Sequence, residues 1–363
     1  MTDTKKCDSG TSDITSRQGN QRLSLDRLRW WEGLGYGMFI HFGMSTYVNL
    51  EGKVFFKPDG SDPPARYAPD RLDVNQWVSA ARDAGMKYAV LTAKHISGFC
   101  LWPSKHTDYS VTNSGNTTNV VEEFVDSCRR CEVLPALYYS AYDNHHRYGS
   151  RTRSDFASKK AYFEQAKKRI AFGGREVGRQ DDDERMPYTT SHYQSFMTAQ
   201  IKELLTEYGS LLEIWIDHPD AVGRGYRTFL YNYMAELQSE IMVMMNNGTP
   251  SSEGYDIDYA WPSDLIAMEE GARSGAIHEK WRTIEGKEYY LPGEVCDSIA
   301  AIRQDWFYLE DDEPRPTAEL AEQFQACRKA GVNYLLNVPP VKHGLIPSSF
   351  IEWLNELRKE AGI

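Results

Sequence analysis

Cysteine is scarce: six residues in a chain of 363 cannot form a disulfide framework that replaces a hydrophobic core. Cys128 and Cys131 have the C-x-x-C spacing, but they fall within the amphipathic helical stretch Val120–Glu132, and no second pair follows at a zinc-site distance. Neither a metal nor a redox role is expected of them. Long apolar runs are also missing; none approaches the ~20 residues that span a bilayer. Positive charge is in deficit, with 41 Lys and Arg against 52 Asp and Glu and a net charge of -11. That balance argues against nucleic acid or an anionic membrane as partner. Residues 1–22 read as a flexible arm. Met1–Gln21 has Ile14 as its only branched aliphatic and so lacks the apolar centre of a signal peptide, which makes the cytoplasm the expected compartment. No internal repeat or low-complexity tract is present.

What the chain does have is a series of apolar runs that each end in a polar, chemically capable residue. Leu211–Asp217 ends in Asp217, Gly37–His41 in His41, Tyr88–His95 in Lys94 and His95, Pro135–Tyr139 in Tyr139, and Ile241–Asn246 in Asn246. Short apolar runs of this kind read as buried strands, and nothing in strand packing requires a carboxylate at Asp217. A parallel (β/α)8 barrel gathers the C-terminal ends of its strands on one face, where active sites lie. The length suffices for a single barrel with loop insertions.

Helical stretches alternate with these runs, as a βα architecture requires. Asn75–Gly85, Val120–Cys131, Ser195–Tyr208, Tyr226–Ser239 and Ala318–Ala330 read as helices, with Gly85, Gly209 and Gly331 as stops. Six or seven strands are evident, the remainder lying between Asp256 and Val295. Two long βα segments stand out. Arg147–Pro187 is densely charged and reads as a solvated helical excursion, with a lid or a subunit contact as the functional alternative, so self-association is left open. Asn247–Glu288 contains Trp261-Pro-Ser-Asp264 and Met268-Glu269-Glu270-Gly271.

Three segments together resemble the α-L-fucosidases of glycoside hydrolase family 29. They are Gly37-Met-Phe-Ile-His41-Phe-Gly43 followed by Glu51, Ala93-Lys94-His95-Ile-Ser-Gly98-Phe99-Cys-Leu-Trp102-Pro-Ser104, and Gln200–Gly209 leading into Glu213-Ile-Trp215-Ile-Asp217. Weaker matches are Tyr138-Tyr139-Ser140 with Asp143, Pro292-Gly-Glu294-Val with Trp306-Phe-Tyr308, and Leu335–Pro340. The resemblance runs from about Trp30 to Gly344. It implies a (β/α)8 TIM-type barrel over residues 23–363, as a single catalytic domain without the C-terminal β-sandwich that many members carry. The chain departs from the family pattern at Ile96 and Ser97, where a second His and an Asp are usual. It departs again at Gly52, in place of Trp, and at His218, in place of the Gly after the nucleophile.

The resemblance implies retaining exo-hydrolysis of terminal α-L-fucosyl residues from glycans or glycoconjugates by double displacement. This chemistry needs two carboxyl groups about 5–5.5 Å apart, one attacking the anomeric carbon and one protonating the leaving oxygen. Asp217 is the expected nucleophile; as a bare strand-end Asp it also reads as a helix N-cap. Glu269 is the first choice for the acid/base, with Glu270 and Glu294 as rivals. His41, Glu51 and His95 are expected on the sugar hydroxyls, with Lys94 and Tyr139 in support. Trp215 either walls the pocket or packs in the barrel. Phe99, Trp102 and Trp306 are candidates for the C5 substituent. No cofactor is implied. Three alternatives remain: a retaining glycosidase for a related sugar such as an α-L-galactoside, a non-catalytic sugar-binding relative, and a metal-dependent hydrolase. The last normally carries His-x-His on its first strand, and here Phe39 and Gly43 flank His41.

Overall fold

The computed structural model describes residues 18–48, 60–146, 191–246, 260–269, 279–301, 306–310 and 313–363. Among them, eight strands pair in parallel in one sheet: β1 (Tyr36–Ile40), β2 (Tyr88–Lys94), β3 (Leu134–Ser140), β4 (Glu213–Asp217), β5 (Met242–Met245), β6 (Ile266–Glu269), β9 (Gly293–Ser298) and β10 (Asn333–Asn337). Their order, β5-β4-β3-β2-β1-β10-β9-β6, follows the chain around a cylinder. Two further strands, β7 (Trp281–Ile284) and β8 (Lys287–Tyr290), form a separate antiparallel hairpin. Excursion 147–187 lies outside the described residues.

The seam between β5 and β6 is closed by side chains as well as backbone. Asp264 donates its N–H to the Val243 carbonyl at 2.8 Å, and its Oδ2 accepts the Val243 N–H at 2.9 Å. Ser263 Oγ accepts from the Met245 N–H at 3.1 Å. The described residues therefore form the expected (β/α)8 barrel. Asp264 also pairs with Arg22 at 2.5 Å, and the Asn20 N–H donates to the Glu288 carbonyl at 2.7 Å. The arm expected over residues 1–22 is thus not free at its end, because Arg22 supplies the countercharge for a carboxylate buried in the seam.

The helices form where expected because their caps and apolar faces agree. Val120–Cys131 starts with Asn119 accepting from the Glu122 N–H and buries Val121, Phe124, Val125 and Cys128. A cap of this type contributes about 1 kcal/mol, and each large apolar side chain about 1.5–3 kcal/mol, so packing dominates. Gly85 and Gly331 sit at φ 85° and 65°, the left-handed region that ends a helix without a Cβ clash. No helix among the described residues is long and apolar enough to cross a membrane.

Strand parity decides which side chains reach the barrel interior. Phe39, Tyr88, Val90, Tyr138, Trp215 and Leu335 pack inside, whereas Ile40, Leu91, Leu137, Tyr139, Ile216 and Leu336 face the helices. A Cβ on Gly37 would lie 2.5 Å from the Tyr88 ring, so that ring crosses the interior only because position 37 has no side chain. In β2 the register with β3 shifts between Thr92 and Lys94, and a shift of this kind changes which face the following side chain occupies.

Candidate active site

Asp217 ends β4 at the C-terminal rim of the barrel, with its side chain 14% exposed. Its Oδ1 accepts from the His218 N–H and from Asn246 Nδ2, both at 2.8 Å. Its Oδ2 accepts from the Tyr138 hydroxyl and lies 3.0 Å from His218 Nδ1. Burial pushes this carboxyl up, but His218, Tyr138 and Asn246 together outweigh it and hold Asp217 well below the usual carboxylate range. Burial and the Asp217 charge push the Tyr138 hydroxyl up, so Tyr138 stays neutral and donates.

A second carboxylate reaches the same point from the neighbouring side. Asn246 follows β5, and its Nδ2 donates both to Asp217 Oδ1 at 2.8 Å and to Glu269 Oε1 at 3.0 Å. Glu269 ends β6. Two oxygens that share one nitrogen at these distances cannot be further apart than the two bonds laid end to end. The two carboxyl groups are therefore neighbours at the rim, as a pair that acts on one glycosidic bond must be.

The third side of the rim is aromatic and imidazole. Asn337 ends β10; its Nδ2 donates to the Trp306 carbonyl at 2.8 Å, which turns its Oδ1 toward His41 Nδ1, 2.8 Å away. Nδ1 of His41 therefore carries the ring proton, and in the neutral ring Nε2 is the acceptor. The His41 ring stacks on Trp306 at 5.3 Å and meets Phe307 edge-on at 5.4 Å. His95 stacks on Tyr138 at 5.4 Å and meets Phe307 at 4.9 Å.

Comparison with known proteins matches this chain to the family model described as α-L-fucosidase over residues 9–359. The chain belongs to the α-L-fucosidase family. α-L-Fucosidase 1 of Arabidopsis thaliana is 28% identical over 92% of this chain and 59% of its own length, so the chain spans little more than half of that relative. A solved α-L-fucosidase isoenzyme 1 from Paenibacillus thiaminolyticus is 26% identical, with a TM-score of 0.67 over 92% of this chain and 74% of that one. An unliganded α-L-fucosidase from Lactobacillus casei, 22% identical with a TM-score of 0.66, covers 93% of this chain and 98% of that one and shows the shared fold.

In this family member, Asp217, Glu269, His41, His95 and Trp306 meet at one rim, while other expected residues lie elsewhere. Lys94, beyond the register shift of β2, is fully buried behind the barrel wall, with Nζ 2.6 Å from Asp143 Oδ2 and 4.2 Å from the Tyr139 ring centre. Tyr139 points to the same outer layer and donates to Gln200 Oε1 at 2.8 Å. Strand parity places Tyr138 at the site in its stead. Glu294, second in β9, accepts from the Tyr88 hydroxyl at 2.5 Å at the N-terminal end of the barrel, the end opposite Asp217. Trp215 packs inside the barrel, 4.9 Å from the Phe39 ring. Phe99 packs on Tyr67 and Tyr109, and Trp102 donates to Glu203 Oε2 at 2.9 Å, so neither reaches the rim. Glu51 and Glu270 lie outside the described residues. In the sequence Asn246 stands out only as a strand-end residue without a task, and neither Phe307 nor the imidazole of His218 carries a local signal of its place at the site.

Proposed function

We propose that this chain is a retaining α-L-fucosidase that removes terminal α-L-fucosyl residues from glycans or glycoconjugates, with Asp217 as nucleophile and Glu269 as acid/base. The observation that carries the reading is the single Asn246 amide shared by the two carboxylates at the C-terminal rim. The family supplies the sugar. In the first step an oxygen of Asp217 attacks the anomeric carbon while Glu269 gives its proton to the departing oxygen. In the second, water attacks that carbon, Glu269 takes the proton, and the bond to Asp217 breaks.

Asp217 meets the first requirement of this scheme, since its neighbours favour the ionised form. His41 and His95 read the sugar hydroxyls in this scheme, and contacts of this kind gain strength as positive charge develops on the ring. Trp306 and Phe307 offer an apolar wall that suits the methyl group at C5 of fucose.

The test is a proton NMR time course on 4-nitrophenyl α-L-fucoside. α-L-Fucose as the first-formed anomer supports the proposal, and the β anomer indicates inversion. Faster turnover of the α-L-galactoside would reassign the sugar, and binding without turnover would make the chain a sugar-binding relative.

A further inference from the structure

His218 follows the nucleophile with φ 52° and ψ 48°, the left-handed region that a side chain other than glycine enters at a cost. Two contacts come with that conformation. The backbone N–H of His218 donates to Asp217 Oδ1 at 2.8 Å, and its Nδ1 lies 3.0 Å from Oδ2 of the same carboxylate. The imidazole helps hold Asp217 ionised, and an ionised carboxylate only accepts, so this contact calls for the proton on Nδ1. Ser140 Oγ lies 3.3 Å from that nitrogen, and the Tyr142 ring centre lies 5.6 Å from the imidazole. Together they fix the plane of a ring whose side chain is 16% exposed.

We propose that His218 is a positioning residue for the nucleophile: it grips both oxygens of Asp217, makes the carboxylate less basic, and so hastens the second half of the reaction relative to the first. The inference rests on the reading of Asp217 as nucleophile. When Asp217 attacks, a C1–O bond forms, the bond to the leaving oxygen breaks, and the carboxylate loses its charge. When water attacks C1, the C1–O bond to Asp217 breaks and its electron pair returns to the carboxylate. Donors that stabilise the anion oppose the first change and favour the second. A residue that only supported the fold would not separate the two steps.

The experiment uses 2-deoxy-2-fluoro-α-L-fucosyl fluoride, which slows both steps and allows the glycosyl-enzyme to be followed by mass spectrometry. Wild type, His218→Gly and His218→Asn are compared. Glycine relieves the left-handed strain, and asparagine tolerates that conformation while keeping a side-chain donor. The Gly variant is expected to form the adduct at least as fast as wild type. Its reactivation should be about tenfold slower, the scale of one lost hydrogen bond to a charged acceptor. The Asn variant should recover part of the reactivation rate. Unchanged reactivation in the Gly variant, or equal slowing of both steps, overturns the proposal while leaving the nucleophile in place. A wild type that takes no label on Asp217 overturns the nucleophile reading, and this proposal with it.

Discussion

Tyr138 and Tyr139, adjacent in β3, send their hydroxyls to opposite sides of the barrel wall, the first to Asp217 and the second to Gln200. A hydrogen bond to a charged acceptor is worth about 1.5–3 kcal/mol, and of the two hydroxyls only that of Tyr138 touches Asp217. Tyr138→Phe is therefore expected to lower kcat/KM on 4-nitrophenyl α-L-fucoside by about 10–100-fold. Tyr139→Phe should leave kcat/KM within about twofold and instead cost about 1 kcal/mol of stability. Steady-state kinetics and thermal denaturation of the two variants separate the roles, and the opposite ranking would reverse the assignment.

Asn246 is expected to set the acid side of the pH profile. Its amide is one of the donors that keep Asp217 well below the usual carboxylate range. Removing a donor to the charged form raises that carboxyl, so the loss of kcat/KM on acidification should begin at higher pH in Asn246→Ala than in wild type. An unmoved acid limb would show that the amide does not bear on Asp217.

Glu294 provides a pH dependence with the opposite sign, expected in stability and not in turnover. Burial pushes its carboxyl up to about 8 from an ordinary 4.5, and burial together with the Glu294 charge pushes Glu213 up as well. The folded chain therefore holds a proton that the unfolded chain releases. The stabilisation is complete below about 4.5 and is lost as pH rises toward about 8. Glu294→Gln keeps an oxygen for the Tyr88 hydroxyl, so melting temperature should depend less on pH across this window while kcat stays near wild type. A large loss of kcat would instead return Glu294 to the list of acid/base candidates.

Lys94 should matter to folding and not to sugar affinity. Its ion pair with Asp143 is fully buried on both sides. Removing one member of such a pair costs about 3–5 kcal/mol because the other charge is stranded. Lys94→Met is expected to melt markedly lower yet keep the wild-type KM in its folded fraction. A raised KM with unchanged stability would restore Lys94 to the sugar site.

The sequence made the barrel and Asp217 readable because strand ends and helix stops are local signals. The apolar run to Asp217, the run to Asn246 and the glycines at 85 and 331 need no knowledge of distant partners. Parity was harder to read. A strand buried on both faces is apolar throughout, so nothing in Leu134–Ser140 reveals that Tyr138 faces inward and Tyr139 outward. Their sides follow from the pairing of Tyr138 with Trp215 and of Tyr139 with Ile216 in β4. Lys94 was misplaced for a related reason, since the register shift after Thr92 leaves no mark in composition. Glu294 was a rival acid only while its position along β9 was unknown. His218 stood out in the sequence only as a departure from the usual Gly, and its contact with Asp217 comes from a backbone conformation that carries the imidazole back onto that carboxylate.

The most direct test of the account is azide rescue of Asp217→Ala with 4-nitrophenyl α-L-fucoside as substrate. The variant is expected to be nearly inactive and to regain turnover with azide, giving β-L-fucosyl azide, because azide fills the space of the lost carboxylate and attacks from its side. Substantial activity without azide, or α-L-fucosyl azide as the product, would contradict the assignment of Asp217 as the nucleophile.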